Sequence, residues 1–430
     1  MPLGDGSHNS MNMRNKIVLD KITFNKNLVL YDFHTNNELN SFFKTHRMFI
    51  QYEEDVADVP LSLLTIPFVN TMAGISWLSD SVLFVDEIDA TFFESFKQLK
   101  RSYSELHRIQ LKGMFVPSRI VKNVLESDTK QSLLLFGGGV DCHTSFLRNR
   151  KSISHIVNIY GWLNSIDETN AVDISDEKTT AQYAKQMGVE AIHIRSNFAS
   201  LFNLHMVDKK LCAPIVGTSY WYGFLHSMAF LSISSVFAWK YGISNLIIAS
   251  SFTKDRADVH CASFITTDSE FKFATHGNTL HDGFELDRQD KVKILVDYQR
   301  ETEQPYKIQA CSFNDHNCCK CEKCFRTIVE LVAENADPRD FGFNDIQGSL
   351  KQHWERIVSR DVALWGTTKE GYYFYHSALR MRENYENLNQ EQKEFVDWFL
   401  SFDFAKAKQE GLRKYYRQNF FSIIKRKLHL

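Results

Sequence analysis

The spacing of hydrophobic residues divides the chain into three regions. Up to about residue 120, short runs that alternate between hydrophobic and polar positions surround two stretches with helical spacing. The predicted elements of this first region are strands over residues 16–20, 28–31, 48–52 and 81–85, and helices over residues 61–72 and 91–106. We therefore expect a small α+β domain over residues 14–125, and we find no recognisable chemical motif in it.

The second region, residues 126–305, combines continuous hydrophobic runs with helices. Its predicted elements are buried strands over residues 133–136, 155–160, 189–194 and 243–249, and helices over residues 177–187, 221–239 and 288–300. Strands that alternate with helices are typical of βαβ units, so we predict the α/β fold class with a doubly wound parallel sheet. The polar residues 256–283 are predicted to form a loop.

The third region, residues 336–430, is predicted to be helical. Its helices are expected over residues 350–362, 371–386 and 391–402. Residues 411–430 interleave basic and aromatic side chains without any acidic residue, which fits either an amphipathic helix docked on the protein or a surface for tRNA or lipid. We favour the docked helix. At the other end, the polar residues 1–13 are interpreted as a disordered lead-in or an expression-tag remnant.

Composition narrows the class of protein. The chain has 430 residues, of which 43% are hydrophobic and 24% charged, and this is typical of a globular protein with more than one domain. Lys+Arg number 50 and Asp+Glu number 52, so no overall basic field is available for nucleic acid. Serines interrupt the longest hydrophobic stretch, residues 221–239, and favour a buried helix over a membrane span. We therefore expect a cytoplasmic protein without stable membrane association.

Three consecutive glycines stand between a predicted buried strand and a predicted helix. Residues 133–144 read LLLFGGGVDCHT. Glycines let the backbone approach a phosphate closely, and the following helix N-terminus directs N–H groups and a positive dipole end at it. Asp141 is placed to hold Mg²⁺ against the phosphates. The segment differs from a P-loop because no Gly-Lys-Ser/Thr follows. A tight turn that binds nothing is the alternative interpretation.

Five of the eight cysteines lie between residues 311 and 324. Four of them, Cys311, Cys318, Cys321 and Cys324, follow the spacing Cys-x6-Cys-x2-Cys-x2-Cys. This spacing predicts a structural metal site over residues 306–335, since four protein ligands leave no open position. We favour zinc, although spacing alone leaves an iron–sulfur cluster open. His316 and Cys319 are expected to lie outside the coordination sphere.

Residues 136–144 resemble the Ser-Gly-Gly-x-Asp-Ser pyrophosphate loop of the ATP pyrophosphatase superfamily, the PP-loop or adenine nucleotide alpha hydrolase-like enzymes. Gly138, Gly139 and Asp141 match that motif, while Gly137 and Cys142 replace its two serines. Because a four-cysteine motif follows about 170 residues later, residues 130–331 resemble the 7-cyano-7-deazaguanine synthase group. The first cysteine gap is two residues shorter here. Relatives of this kind occur in antiviral defence and biosynthetic operons.

The resemblance implies an ATP-dependent C–N ligase. Such an enzyme attaches AMP to a carboxylate or carbonyl oxygen, releases pyrophosphate, and lets a nitrogen nucleophile displace AMP to give an amide or nitrile. The implied acceptor is a deazapurine acid or a peptide or protein, and an operon-encoded protein partner is conceivable. ATP, Mg²⁺ and a structural Zn²⁺ are the implied cofactors.

The resemblance and the spacing also assign site residues. The phosphate-binding residues are Gly137, Gly138, Gly139, Val140, Asp141, Cys142, His143 and Thr144. The catalytic residues are Asp141, Arg288 and Lys291, because Arg288 and Lys291 are three residues apart on one predicted helix and can face the same phosphates. A solvated helix surface is the alternative for this pair, and Arg326 presents the same choice.

Two other functions are kept open. One is a tRNA-directed sulfur-transfer enzyme with Cys142 or Cys319 as the sulfur carrier. The other is a catalytically degenerate ATP- and zinc-binding subunit, which the departures at Gly137 and Cys142 suggest. Outside these motifs, we interpret His193 as a core histidine and place His281 in a polar substrate-lining loop at the carboxyl ends of the strands, where it could do acid–base work.

Overall fold

The structure is a computed structural model of the chain. It describes residues 15–126, 131–253, 261–311, 316–360 and 371–404, together with residues 406, 409, 410, 413 and 417. The predicted lead-in over residues 1–13 and most of the basic tail over residues 411–430 lie outside the described residues. The chain divides into two compact units. The first comprises residues 1–137 and 148–285, and the second comprises residues 138–147 and 286–430.

One ten-stranded sheet forms the centre of the first unit. Its strands are β1 (Lys16–Asn25), β2 (Leu28–Thr35), β3 (Arg47–Gln51), β4 (Val82–Asp89), β5 (Met114–Val121), β6 (Ser132–Leu135), β7 (Ile153–Tyr160), β8 (Glu190–Ser196), β9 (Asn245–Ala249) and β10 (Asn278–Asp282). The spatial order is β10-β9-β6-β7-β8-β3-β2-β1-β4-β5. Neighbouring strands are parallel except at β8–β3, β3–β2 and β2–β1. The predicted α/β class is therefore confirmed, with a mostly parallel sheet.

The two edge strands were not predicted. β10 lies within the segment that we expected to be a loop, residues 256–283, so that expectation is wrong for residues 278–282. Its sequence, Asn-Thr-Leu-His-Asp, has no apolar run because an edge strand is paired on one side only. β5 contains Pro117, and a proline within a hydrophobic run argues against a strand. Proline is nevertheless tolerated at a sheet edge, where β5 lies.

The sheet continues across the predicted domain boundary near residue 125. β8 pairs with β3 in the antiparallel direction, with Ile50 opposite Ser196 and Gln51 opposite Arg195. The side chain of Asn197 strengthens this junction, because it accepts the Phe49 N–H (2.8 Å) and donates to the Arg47 carbonyl (3.0 Å). Strands from both predicted domains thus belong to one hydrogen-bonded layer.

Helices cover the sheet in the first unit and make up most of the second. The described α-helices are α1 (Asn37–Asn40), α2 (Leu61–Leu64), α3 (Ile66–Leu78), α4 (Ala90–His107), α5 (Val140–Asn149), α6 (Ala171–Met187), α7 (Leu204–Val207), α8 (Ala213–Val216), α9 (His226–Lys240), α10 (Ile265–Asp268), α11 (Arg288–Thr302), α12 (Glu322–Ala333), α13 (Leu350–Arg360), α14 (Gly371–Asn384) and α15 (Gln390–Ser401). The predicted helix over residues 221–239 is a π-helical turn followed by α9.

Two helices of the first unit, α3 and α9, are buried on almost every side. In α9 the serines are accommodated because their hydroxyls donate within the helix, from Ser232 to the Ala229 carbonyl (3.0 Å) and from Ser235 to the Ser232 carbonyl (2.7 Å). Among the described residues, one helical stretch, Leu61–Leu78, is long and apolar enough to cross a membrane, and it is mostly buried in the protein. Core helices of globular proteins commonly have this composition.

The second unit is built around aromatic side chains on its helices. Phe325 of α12 and Trp354 of α13 are both fully buried, with ring centroids 4.3 Å apart. Phe399 of α15 adds a third ring, 6.3 Å from Phe325. The segment that contains the predicted metal site therefore leads directly into the helix that anchors this core.

Candidate functional site

The glycine segment leads from β6 to the start of α5. Gly138 has a left-handed backbone (φ +73°), and a Cβ added to it would lie 3.2 Å from the Cβ of Gln309. Glycine is therefore favoured at this position for both its conformation and its close contact. A Cβ added to Gly139 would meet no atom within 4 Å, so the surface beside this residue is open.

The start of α5 offers backbone N–H groups to a ligand. The His143 N–H donates to the Gly139 carbonyl (3.2 Å). The N–H groups of Val140 and Asp141 precede this bond and so lie outside the hydrogen-bond ladder of the helix. They point out of the helix N-terminus, where the helix dipole favours an anion.

The structure brings the three predicted catalytic residues together. Asp141 Oδ2 lies 3.0 Å from Arg288 Nη1, and Asp141 Oδ1 lies 3.0 Å from Lys291 Nζ. Asp287 caps the N-terminus of α11 by accepting the Asp290 N–H (2.8 Å), which places Arg288 and Lys291 in the first turn. The Lys291 side chain is only 3% exposed and that of Arg288 13%. Arg288 and Lys291 therefore do not lie on a solvated helix surface, which was the alternative interpretation.

These two cations determine the charge of Asp141. Burial alone would raise the pKa of its carboxyl group, but attraction by Lys291 and Arg288 outweighs burial and lowers the pKa to about 2. Asp141 is therefore a carboxylate at any physiological pH. Each carboxylate oxygen has further lone pairs, so both ion pairs are compatible with an additional cation.

Two more basic side chains, Lys323 and Arg326 of α12, lie near Arg288. Burial, followed by repulsion from Arg326 and Arg288, lowers the pKa of Lys323, which shows how closely these positive charges are gathered. Arg326 lies 3.7 Å from Glu322, and Arg288 Nε lies 3.1 Å from Glu330 Oε2. Four basic side chains are thus gathered around the carboxyl groups of Asp141, Glu322 and Glu330. Burial raises the pKa of Glu330. Such a cluster can bind a polyanion.

The side chains of the last three predicted phosphate-binding residues are buried. Cys142 Sγ donates to the Gly139 carbonyl (3.1 Å), His143 Nδ1 lies 3.0 Å from Tyr306 Oη, and Thr144 Oγ1 donates to the Lys291 carbonyl (3.1 Å). Burial lowers the pKa of His143 to about 3, so its ring is neutral. The side chains of these three residues therefore fix the glycine segment by contacts within the protein. A phosphate bound here would be contacted by backbone N–H groups rather than by these side chains.

The four predicted cysteine ligands form one cluster. All four sulfur atoms lie within 4.8 Å of one another, with 3.9 Å between Cys318 and Cys324 and 4.0 Å between Cys311 and Cys321. Four thiolates at about 2.3 Å from a tetrahedral ion lie about 3.8 Å apart. A hydrogen bond from the Cys324 thiol lowers the pKa of Cys321 to about 5, which favours the thiolate that a metal requires. The cluster could hold a metal ion.

Two nearby residues lie outside this group of four. Cys319 is buried, has a left-handed backbone (φ +51°), and donates its thiol to the Asn317 carbonyl (3.4 Å). His316 Nε2 lies 3.0 Å from Asp345 Oδ2 at the surface. Burial raises the pKa of Cys319 to about 12, which makes it a poor nucleophile.

Asn317 is a site residue that no sequence motif indicates. It is 3% exposed and lies directly before Cys318. Its side chain hydrogen-bonds backbone groups of the segment that carries Cys311. A single asparagine next to a cysteine motif has no distinctive spacing, so the sequence contained no signal for this role.

His193, which we interpreted as a core histidine, is buried in the first unit and contacts the ion pair of Asp173 with Arg195. His193 Nε2 is 2.6 Å from Asp173 Oδ1, and Arg195 Nε is 2.8 Å from Asp173 Oδ2. Burial would raise the pKa of Asp173, but hydrogen bonds from His193 and Arg195 outweigh it and lower the pKa. Nearby, burial raises the pKa of Asp176 to about 6.

This pKa predicts that Asp176→Asn stabilises the protein near neutral pH. A carboxyl group with a raised folded-state pKa contributes stability at low pH, and that contribution is lost as the pH rises through about 6. After allowance for partial solvent screening, we expect the variant to be more stable by about 1 kcal/mol at pH 7 and unchanged at pH 4. Urea unfolding at both pH values measures this, with the exposed Asp167→Asn as control. Equal stabilisation at both pH values would contradict it.

The expectation that His281 lies in a substrate-lining loop is wrong. His281 is in β10, its side chain is almost fully buried, and its Nδ1 lies 2.8 Å from Asp268 Oδ2. The neighbouring Asp282 pairs with Arg148 at 3.3 Å. Because His281 faces the interior, it is not exposed to a ligand at the strand ends.

Comparison with other proteins does not assign this arrangement to a family. No protein-family model matches the sequence, and a search of curated proteins finds no significant match. The resemblance to PP-loop enzymes therefore remains a prediction that rests on the motifs.

Proposed function

We propose that this protein is an ATP-dependent enzyme of the PP-loop type, which attaches AMP to an acceptor oxygen and releases pyrophosphate. The observation that carries the proposal is the ion-pair group at the glycine segment, in which Arg288 and Lys291 both hold Asp141. An open glycine surface, a helix N-terminus and clustered cations together suit a triphosphate better than they suit a structural turn.

In the proposed reaction, each residue has a defined task. The backbone N–H groups of Val140 and Asp141 would bind phosphate oxygens, and Arg288 and Lys291 would offset the negative charge of the leaving pyrophosphate. Mg²⁺ held by Asp141 would supply further charge neutralisation on the phosphates. The acceptor oxygen bonds to the α-phosphorus while the bond from that phosphorus to the bridging oxygen of pyrophosphate breaks. A nitrogen nucleophile then bonds to the activated carbon, and AMP leaves with the bonding electron pair.

We further propose that the cysteine cluster holds a structural zinc ion. Four sulfur ligands complete a tetrahedron and leave no position for a substrate. Cys321 is the N-cap of α12 and Cys324 lies in its first turn, so the ion would fix the start of the helix that carries Lys323 and Arg326. Its role in this scheme is to position cations rather than to take part in the reaction.

The buried thiols argue against the sulfur-transfer alternative. A carrier cysteine must reach its substrate as a thiolate. Cys142 is buried and bonded within the glycine segment, and Cys319 is buried with a raised pKa. The degenerate-subunit alternative predicts the same geometry without turnover. Only an assay separates it from an active enzyme.

The test is incubation of the protein with Mg-ATP and a panel of acceptors. Deazapurine acids, short peptides and the protein alone should be compared, with AMP, pyrophosphate and adenylated products measured by mass spectrometry. We expect pyrophosphate and AMP in equal amounts, with a rate that depends on the acceptor. Saturable ATP binding without pyrophosphate would favour the degenerate subunit, and absence of ATP binding would refute the proposal. A cytoplasmic location and an operon-encoded partner belong to the same proposal.

A further inference from the structure

One short segment of the second unit touches both the glycine segment and the cysteine cluster. At its start, the hydroxyl of Tyr306 meets Nδ1 of His143 at 3.0 Å. In its middle, the Gln309 N–H donates to the Gly138 carbonyl at 2.8 Å. At its end, Cys311 contributes one of the four clustered sulfur atoms. We call residues 306–311 the bridging segment.

Gln309 contacts both the glycine segment and Cys311 of the cysteine cluster. Its backbone N–H holds Gly138, while its side-chain Nε2 donates to the Cys311 carbonyl at 3.1 Å. The contact with Gly138 is close, because a Cβ on that glycine would lie 3.2 Å from the Cβ of Gln309. A displacement of the bridging segment by a fraction of an ångström would therefore be felt at the glycine segment.

Asn317 fixes the bridging segment. Its Oδ1 accepts the N–H groups of Ala310 (2.9 Å) and Cys311 (3.2 Å), and its Nδ2 donates to the carbonyls of Ile308 (2.8 Å) and Gly342 (3.2 Å). Both ends of one amide are thus used, in a residue that precedes the ligand Cys318. Asparagine is suited to this role because its amide has both a donor and an acceptor end.

We propose that Asn317 is a positioning residue that couples metal binding at the cysteine cluster to the order of the glycine segment. An ion bound to Cys311 and Cys318 holds the two chain segments that Asn317 joins. The held bridging segment then presents Gln309 to Gly138 and Tyr306 to His143. By linkage, a ligand that orders the glycine segment strengthens metal binding by the same factor. This inference rests on the proposed function only for the identity of that ligand.

Hydrogen exchange measured by mass spectrometry tests the coupling without nucleotide. The full-length protein would be compared zinc-loaded and after removal of the ion by a chelator. We expect removal to speed the exchange of amides in residues 138–147 by at least about 5-fold, at the lower end of usual coupling factors. Residues 226–240, which belong to the first unit, serve as an internal reference and should not change. Equal acceleration in both segments would indicate global unfolding and would overturn the proposal.

Variants of Asn317 complete the test. In Asn317→Ala we expect fast exchange of residues 138–147 with zinc bound, and little further change on its removal. Asn384→Ala is the matched control, because Asn384 also donates to a backbone carbonyl of this unit, that of Ala333 (2.8 Å), which lies outside the bridging segment. It should behave as the unmodified protein. If Asn317→Ala does not fold, Asn317→Asp, which keeps the acceptor and loses the donor, takes its place.

The outcomes separate this inference from the proposed function. The coupling is overturned if hydrogen exchange at residues 138–147 does not depend on the metal, or if an Asn317 variant behaves as the unmodified protein. Either result holds even if pyrophosphate is released. Metal-dependent exchange in a protein that does not bind ATP supports the coupling and refutes the proposed function alone.

Discussion

Replacing Asp141 with asparagine is expected to lower the rate of pyrophosphate release by about 10²–10³-fold, a loss comparable to removal of one electrostatic group from an active site. The carboxylate is held by Arg288 and Lys291 at 3.0 Å each, and its pKa of about 2 keeps it charged. Asparagine keeps the size of the side chain but removes the charge that would bind Mg²⁺ and orient both cations. The measurement is pyrophosphate release at saturating Mg-ATP.

Asp297→Asn is the matched control for this experiment. Asp297 lies on the same helix, α11, where it pairs with Lys293 at a half-exposed position away from the glycine segment. We expect its variant to keep the full rate. If both variants retain activity, Asp141 has no part in the chemistry, and if both lose it, the effect is one of folding.

Replacing Cys324 with alanine is expected to expel the metal and unfold the start of α12. Structural zinc sites in small peptides are worth roughly 10–16 kcal/mol, so even a part of that stabilisation is large for one domain. Cys324 is fully buried, and its sulfur lies 3.9 Å from that of Cys318. Elemental analysis should show one zinc ion per chain before the change and none after it, with faster hydrogen exchange over α12.

Cys319→Ala supplies the control for this result. Cys319 is also buried and directly follows the predicted ligand Cys318, but its thiol donates to a carbonyl instead of joining the cluster. Its variant should keep the ion. Loss of zinc from the Cys319 variant, or a metal content that Cys324→Ala leaves unchanged, would show that the four sulfur atoms are not the ligand set.

Local patterns in the sequence predicted the parts of the site that are close together in the chain. The three-residue spacing of Arg288 and Lys291 placed them on one helical face, and the cysteine spacing identified the four clustered sulfur atoms. The glycine segment was found because glycines between a strand and a helix are a local signal. The α/β class followed from hydrophobic periodicity in the same way.

Contacts between distant residues could not be predicted. Nothing local marks Asn317 as the partner of Ile308 and Gly342, because these hydrogen bonds form only when the chain is folded. The pairing of β3 with β8 joins residues about 145 positions apart, and β10 is too short and polar to stand out. His281 was misplaced for that reason, since a histidine in a polar run reads as a loop residue.

The antiparallel pairing of β3 with β8 limits which truncated fragments of the protein can fold. A fragment that starts at residue 126 would lack β3. The edge of β8 would then be unpaired, and the backbone around Ser196 and Asn197 would be exposed to solvent. An exposed sheet edge pairs readily with other chains, so such a fragment is expected to aggregate. The first 125 residues are therefore not a detachable module, and fusion tags or split versions of the protein are better placed elsewhere.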